Sequence, residues 1–177
     1  MIRLFVAIDL PDEVAQPLVR MQAGVPGARW QTREQLHLTL RFIGEVDGRD
    51  AASVDDMLAS IADPRFGVEL KGVGEFGGRN PRALWAGVAP NEALKHLQRK
   101  VETALQRLGL PAEERKYTPH VTLARLRGTP QGAVMDYITD HALYASGPFE
   151  ARTFTLFSSH LSQNGSIYTP ERVYPLR

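Results

Sequence analysis

The 177-residue chain reads as an α+β protein in which antiparallel sheet lines a central groove and helices lie outside. Three observations predict this. Two short segments, His37-Leu38-Thr39-Leu40 and His120-Val121-Thr122-Leu123, alternate polar and apolar residues on the period of a strand. The pattern strand, helix, motif strand occurs once by residue 43 and again between residues 82 and 126. The two motif histidines lie about half the chain apart. Together these describe a single bilobal domain over residues 1–177, its lobes pseudo-duplicated and each contributing one His-x-Thr-x strand.

In chain order, residues 2–8 are apolar at nearly every position after Arg3, as in a buried strand. Asp9, Pro11, Asp12 and Glu13 form a helix start, and a helix over 11–21 follows, strained at Pro17. Residues 24–27 break it, and residues 30–36 lead into the first motif strand, expected to stop at Gly44. Val54, Met57, Leu58 and Ile61 share one face of a helix over 50–61. Residues 66–76 and 82–88 are strands of a hairpin, with glycine irregularities at Gly72 and Gly74 and a turn at 77–81. Leu94, Leu97, Val101, Leu105 and Leu108 recur at three- and four-residue steps, and Gly109 closes that helix. Residues 111–118 are an exposed charged connector, and Pro119 delivers the chain into the second motif strand. A weaker helix over 132–144, one long strand over 147–161 and an edge strand over 167–176, with its two prolines, complete the chain.

Composition narrows the function. A net charge of +1 excludes a long polycationic track for nucleic acid, but not a local site reading an RNA end or a few phosphates. The absence of cysteine excludes disulfides, thiolate metal sites and cysteine nucleophiles, and suits a reducing compartment. The start of the chain lacks a signal-peptide pattern, and no apolar run approaches the ~18 residues of a membrane span, so a cytoplasmic protein without membrane attachment is expected.

The motifs carry the chemistry. Random placement of five His and ten Thr would give ~0.3 His-x-Thr triplets, whereas two occur here, each followed by Leu. Each presents an imidazole and a hydroxyl side by side on a rigid support. Strict alternation puts His37, Thr39 and Arg41 on one face, and Leu36, Leu38, Leu40 and Phe42 on the other. On the second strand it puts Arg125 with Val121 and Leu123, away from His120, unless the strand ends or bulges. A pair of imidazoles can serve as acid and base near neutral pH, and flanking hydroxyls can donate to a phosphate in its transition state. This suits phosphoester chemistry, and spacing alone leaves open which histidine is which. Arg125 and Arg41 are candidates to hold a phosphate oxygen, against a solvated-surface reading for both. Phe5, Phe42 and Tyr168 are candidates to stack on a base, against core packing for the two phenylalanines. His96, His141 and His160 lack the motif, and no spacing suggests a zinc site, so neither metal nor cofactor is expected.

Three stretches resemble the 2H phosphoesterase superfamily, and most closely its RNA 2′,3′-cyclic phosphodiesterases, also called 2′-5′ RNA ligases. They are the run from Arg3 to Pro11, the run His37-Leu38-Thr39-Leu40-Arg41-Phe42-Ile43-Gly44, and the run Tyr117-Thr118-Pro119-His120-Val121-Thr122-Leu123-Ala124-Arg125. The resemblance implies a bilobal fold, with two antiparallel sheets lining a central V-shaped cleft and helices outside, and metal-independent hydrolysis of an RNA 2′,3′-cyclic phosphate to a 2′-phosphomonoester, with 2′-5′ ligation as related chemistry. It implies His37 as general acid and His120 as general base, beside which Thr39 and Thr122 are suitable donors; RNA ends, tRNA fragments among them, are the expected partners, and a monomer is expected. The alternatives are a small-molecule or 2′-5′ oligonucleotide phosphodiesterase, a divalent-metal hydrolase, and a non-catalytic RNA-end binding module.

Overall fold

A computed structural model describes residues Met1–Arg177, as nine strands and four α-helices with one short 3-10 turn. The strands, in chain order, are β1 (Ile2–Asp9), β2 (Ala28–Trp30), β3 (His37–Val46), β4 (Phe66–Phe76), β5 (Ala83–Val88), β6 (His120–Leu126), β7 (Ala145–Ala151), β8 (Thr153–Ser162) and β9 (Gly165–Pro175). The helices are α1 (Asp12–Arg20), α2 (Gly48–Ala59), α3 (Glu92–Arg107) and α4 (Gln131–Asp140). The strand order is β7-β4-β5-β6-β3-β1-β8-β9, antiparallel throughout, with β2 added to β6. Only one position, Leu38 opposite Val121, is paired between β3 and β6. The nine strands thus form one continuous, strongly curled antiparallel sheet in two parts, β7-β4-β5-β6 and β3-β1-β8-β9, joined at that single pair.

The apolar faces of both parts turn to one side. Leu4, Val6 and Ile8 of β1, Leu38 of β3, and Val121 and Leu123 of β6 join a single cluster of 33 buried residues, so one core serves both halves. Helix α3 covers it with Leu94, Leu97, Val101 and Leu105, none with any exposed surface. Each contributes roughly 2 kcal/mol of burial, and a charge at Val101 would remove the helix's grip. The same helix is capped by Asn91, whose side-chain oxygen accepts from the Leu94 amide at 2.9 Å. The corresponding cap of α2 is Asp47, accepting from the Asp50 amide at 2.7 Å. Pro17 sits inside α1 without ending it, because the carbonyl it leaves free belongs to exposed Glu13.

Two expectations about elements are corrected and one is extended. The single strand over 147–161 is two strands, because at Arg152 the chain leaves the β4 edge of one part of the sheet and enters the other part beside β1. The first motif strand runs past Gly44 to Val46, with Gly44 at φ +90°, which a residue without Cβ adopts freely. The 111–118 connector is exposed as expected, and it is also pinned: Tyr117 donates its hydroxyl to the Thr39 carbonyl at 2.8 Å, and Arg41 reaches the Pro111 carbonyl. The outer strands β7 and β9 carry Pro148, Pro170 and Pro175, which lack the donors that would recruit a further strand.

Candidate active site

On the concave side, β3 and β6 place the two motifs at the centre of a cleft of about 610 Å³. His37, Thr39, His120 and Thr122 all line it. The antiparallel register around Leu38 and Val121 sets Thr122 beside His37 and Thr39 beside His120, so each imidazole has its own hydroxyl and its partner's nearby. Each imidazole also rests on an aromatic ring of the same part of the sheet. Phe157 lies 4.3 Å from His37 and Phe76 lies 5.0 Å, edge-on, from His120, measured between ring centres.

Both motif strands break alternation just after the Thr. On β3, Thr39 pairs with Ala7 and Arg41 with Val6, so Leu40 is an extra, bulged residue. On β6, Thr122 pairs with Trp85 and Ala124 with Leu84, so Leu123 is the bulged one. The bulges correct the placements of Phe42 and Arg41 and meet the condition set for Arg125. Arg125 turns into the cleft with His120 and Thr122. Phe42 joins the cleft side against Phe5 and stays 60% exposed, although alternation grouped it with the core leucines. Arg41 still lines the cleft, but its guanidinium turns away from His37. Its guanidinium is buried against Glu102 of α3, with Nε 2.5 Å from Oε2, and also donates to the carbonyls of Phe42 and Pro111. Burial pushes the Glu102 carboxyl up, but hydrogen bonds from Arg41, Gln106 and the Glu113 amide outweigh it and bring its pKa to about 2. Arg41 thus ties β3 to α3 and the connector.

Phe5 packs on Phe157 and Tyr168 in a small cluster on the cleft side, apart from the main core. Tyr168 is half-buried and lines the cleft.

The surroundings of the two histidines differ. The register that pairs Asp9 with His37 pairs Gly87 with His120, so only one imidazole has a carboxylate across from it. Asp9 Oδ1 lies 3.7 Å from His37 Nε2, and the same oxygen is 3.8 Å from Arg33. His37 is buried, and its Nδ1 has no hydrogen-bond partner. Burial lowers its pKa to about 4, with Arg33 adding to the effect and Asp9 opposing it. His120 donates from Nδ1 to the Thr118 carbonyl at 2.7 Å, which fixes the tautomer and leaves Nε2 as the free acceptor. Burial lowers its pKa as well; the Thr118 bond opposes this and the positive charge of Arg125 adds to it. No group of three or more His, Cys, Asp or Glu side chains is placed to hold a metal ion, and no helix is long and apolar enough to cross a membrane.

Asp9, Phe76, Phe157 and Tyr117 are the site residues that sequence reasoning missed. Asp9 ends a strand otherwise apolar after Arg3, which is a signal; the two phenylalanines come from distant strands and carry none.

The chain matches known proteins over nearly its full length. Residues 10–162 match a family described as the 2′-5′ RNA ligase superfamily. An RNA 2′,3′-cyclic phosphodiesterase of Archaeoglobus fulgidus is 32% identical over 177 residues, covering 97% of this chain and 99% of that protein. One from Thermotoga maritima is 31% identical, covering 94% and 91%. The crystal structure of E. coli LigT complexed with 3′-AMP superposes with a TM-score of 0.81 at 27% identity, covering 99% of this chain and 98% of that one.

Proposed function

The chain belongs to the 2′-5′ RNA ligase superfamily, and on that premise we propose that it hydrolyses terminal 2′,3′-cyclic phosphates of RNA to 2′-phosphomonoesters, using His37 as general acid and His120 as general base. It is a cyclic phosphodiesterase, a hydrolase. The observation that carries the division of labour is the asymmetry of the cleft: a carboxylate faces His37, and a guanidinium turns toward His120.

Without substrate both imidazoles are neutral at pH 7, because burial lowers each pKa. The cyclic phosphate brings one negative charge between them. That charge and Asp9 draw a proton onto His37, while Arg125 keeps His120 neutral. His120 Nε2 then takes a proton from a water molecule as its oxygen attacks phosphorus. The bond from phosphorus to O3′ breaks, and His37 gives its proton to the departing oxygen. Thr39 and Thr122 donate to the non-bridging oxygens, where negative charge grows, and Arg125 offsets it. A 5′-hydroxyl in place of the water gives 2′-5′ ligation through the same geometry without ATP. Tyr168 stands where the terminal base can stack, and Phe42 continues the aromatic wall beyond it. RNA fragments with cyclic ends, those of tRNA included, are its substrates. Both histidines come from one chain, so a single bilobal domain acting as a monomer carries a whole site, and a chain without cysteine suits the cytoplasm.

The test is product analysis. An oligonucleotide ending in a 2′,3′-cyclic phosphate, incubated with purified protein and chelator, is expected to yield a 2′-phosphate end. No conversion from mildly acidic to mildly alkaline pH would overturn the reading.

A further inference from the structure

Beyond the cleft lies a second cavity of about 270 Å³, and the two share Phe5, Phe42, Arg125 and Tyr168 as a common wall. The far side of this cavity is built by Arg3, Gly44, Ser159 and Ser166. Arg3 lies on the same face of β1 as Phe5 and Ala7, four residues along from Ala7, which pairs with Thr39. That offset is about 13 Å, so a group bound at Arg3 lies past the nucleotide whose phosphate sits between the histidines.

The lining has the chemistry of a single-stranded nucleic-acid platform. A cation stands at each end, Arg3 and Arg125, and an aromatic ring that is 60% exposed lies between them. Two serines supply hydroxyls, and Gly44 leaves the floor open, with no atom within 4 Å of where a Cβ would stand. The carboxylate paired with Arg3, Glu45, is held at 3.3 Å in a pair more than half exposed on both sides. Such a pair is weak, so a phosphate can replace Glu45 as the partner of Arg3.

We propose that this second cavity is a subsite for the nucleotide 5′ to the one bearing the cyclic phosphate, its phosphodiester held by Arg3 and its base laid against Phe42. The proposal rests on the cyclic phosphodiesterase reading and makes the enzyme one that reads at least two nucleotides of an RNA end.

The experiment compares a mononucleoside 2′,3′-cyclic phosphate with a dinucleotide ending in the same nucleoside cyclic phosphate. The dinucleotide is expected to have kcat/KM about tenfold higher, the scale of one base stack with one phosphate contact. Arg3→Ala is expected to remove most of that advantage, to lower the slope of log kcat/KM against log salt by about 0.7, and to leave the mononucleotide unaffected. Arg3→Lys is expected to keep the salt slope. Equal kcat/KM for the two substrates, or an Arg3→Ala effect common to both, would overturn the subsite while leaving the reaction standing. Turnover of neither substrate would overturn the phosphodiesterase reading, and the subsite with it.

Discussion

Acid should destabilise this protein through His37, and the size of the effect follows from its burial. In the unfolded chain this imidazole holds a proton below about pH 6.5, whereas in the folded protein it does so only below about 4. Between those values the unfolded state binds the extra proton, so stability rises with pH across the window and is lost as pH falls from 6.5 toward 4. At 1.36 kcal/mol per pH unit, the window corresponds to about 3 kcal/mol. That is a large share of the stability of an ordinary domain. The perturbation is His37→Gln, which removes the titrating ring and leaves every other ionisable group in place. Urea unfolding at several pH values between 4 and 7 gives a stability curve for each protein. The wild type is expected to lose about 3 kcal/mol more than the variant over the window, whatever their difference at neutral pH. Parallel curves would refute the reasoning, and would mean that His37 keeps its proton in the fold as readily as in water.

Three further substitutions test the supports of the cleft. Arg41→Ala leaves the Glu102 carboxylate without its partner and should cost about 3 kcal/mol in denaturant unfolding; because the pKa of Glu102 is held near 2, the deficit should be full above pH 4.5 and shrink below it. Tyr117→Phe removes only the hydroxyl that donates to the Thr39 carbonyl, and should cost about 1 kcal/mol of stability while lowering kcat a few-fold in steady-state assays. Asp9→Asn takes away the negative charge that favours the protonated form of His37, so kcat/KM should fall and the acid limb of its pH profile should move to lower pH.

Much of this site was legible in the residues, and the part that was not has a common cause. His37, Thr39, His120 and Thr122 could be placed on one concave face because each pair obeys the two-residue period of a strand. The period fails one residue later on both strands, where Leu40 and Leu123 bulge, and strict alternation misplaces the residues just past those points. Arg41, grouped with the histidine, is held by a helix; Phe42, grouped with the core, stands at the cleft. The imprint of the second bulge is present in the sequence as two consecutive apolar residues, Leu123 and Ala124, between Thr122 and Arg125. The break at Arg152 left no such mark, because β7 and β8 are both strands and only the part of the sheet they join changes. Asp9 could be read as a helix start, but its position opposite His37 depends on the register between β1 and β3. Local periodicity carries elements and faces; register between distant segments carries the electrostatics of a site.

The assignment of acid and base to the two histidines is tested most directly with a substrate whose leaving group needs no acid. A dinucleotide ending in a 2′,3′-cyclic phosphate with sulfur in place of the 3′ oxygen expels a thiolate, which departs without protonation. His37→Ala is expected to lose activity on the oxygen substrate and regain most of it on the sulfur one, while His120→Ala stays inactive on both. Recovery by His120→Ala in place of His37→Ala, or by neither variant, would contradict the account.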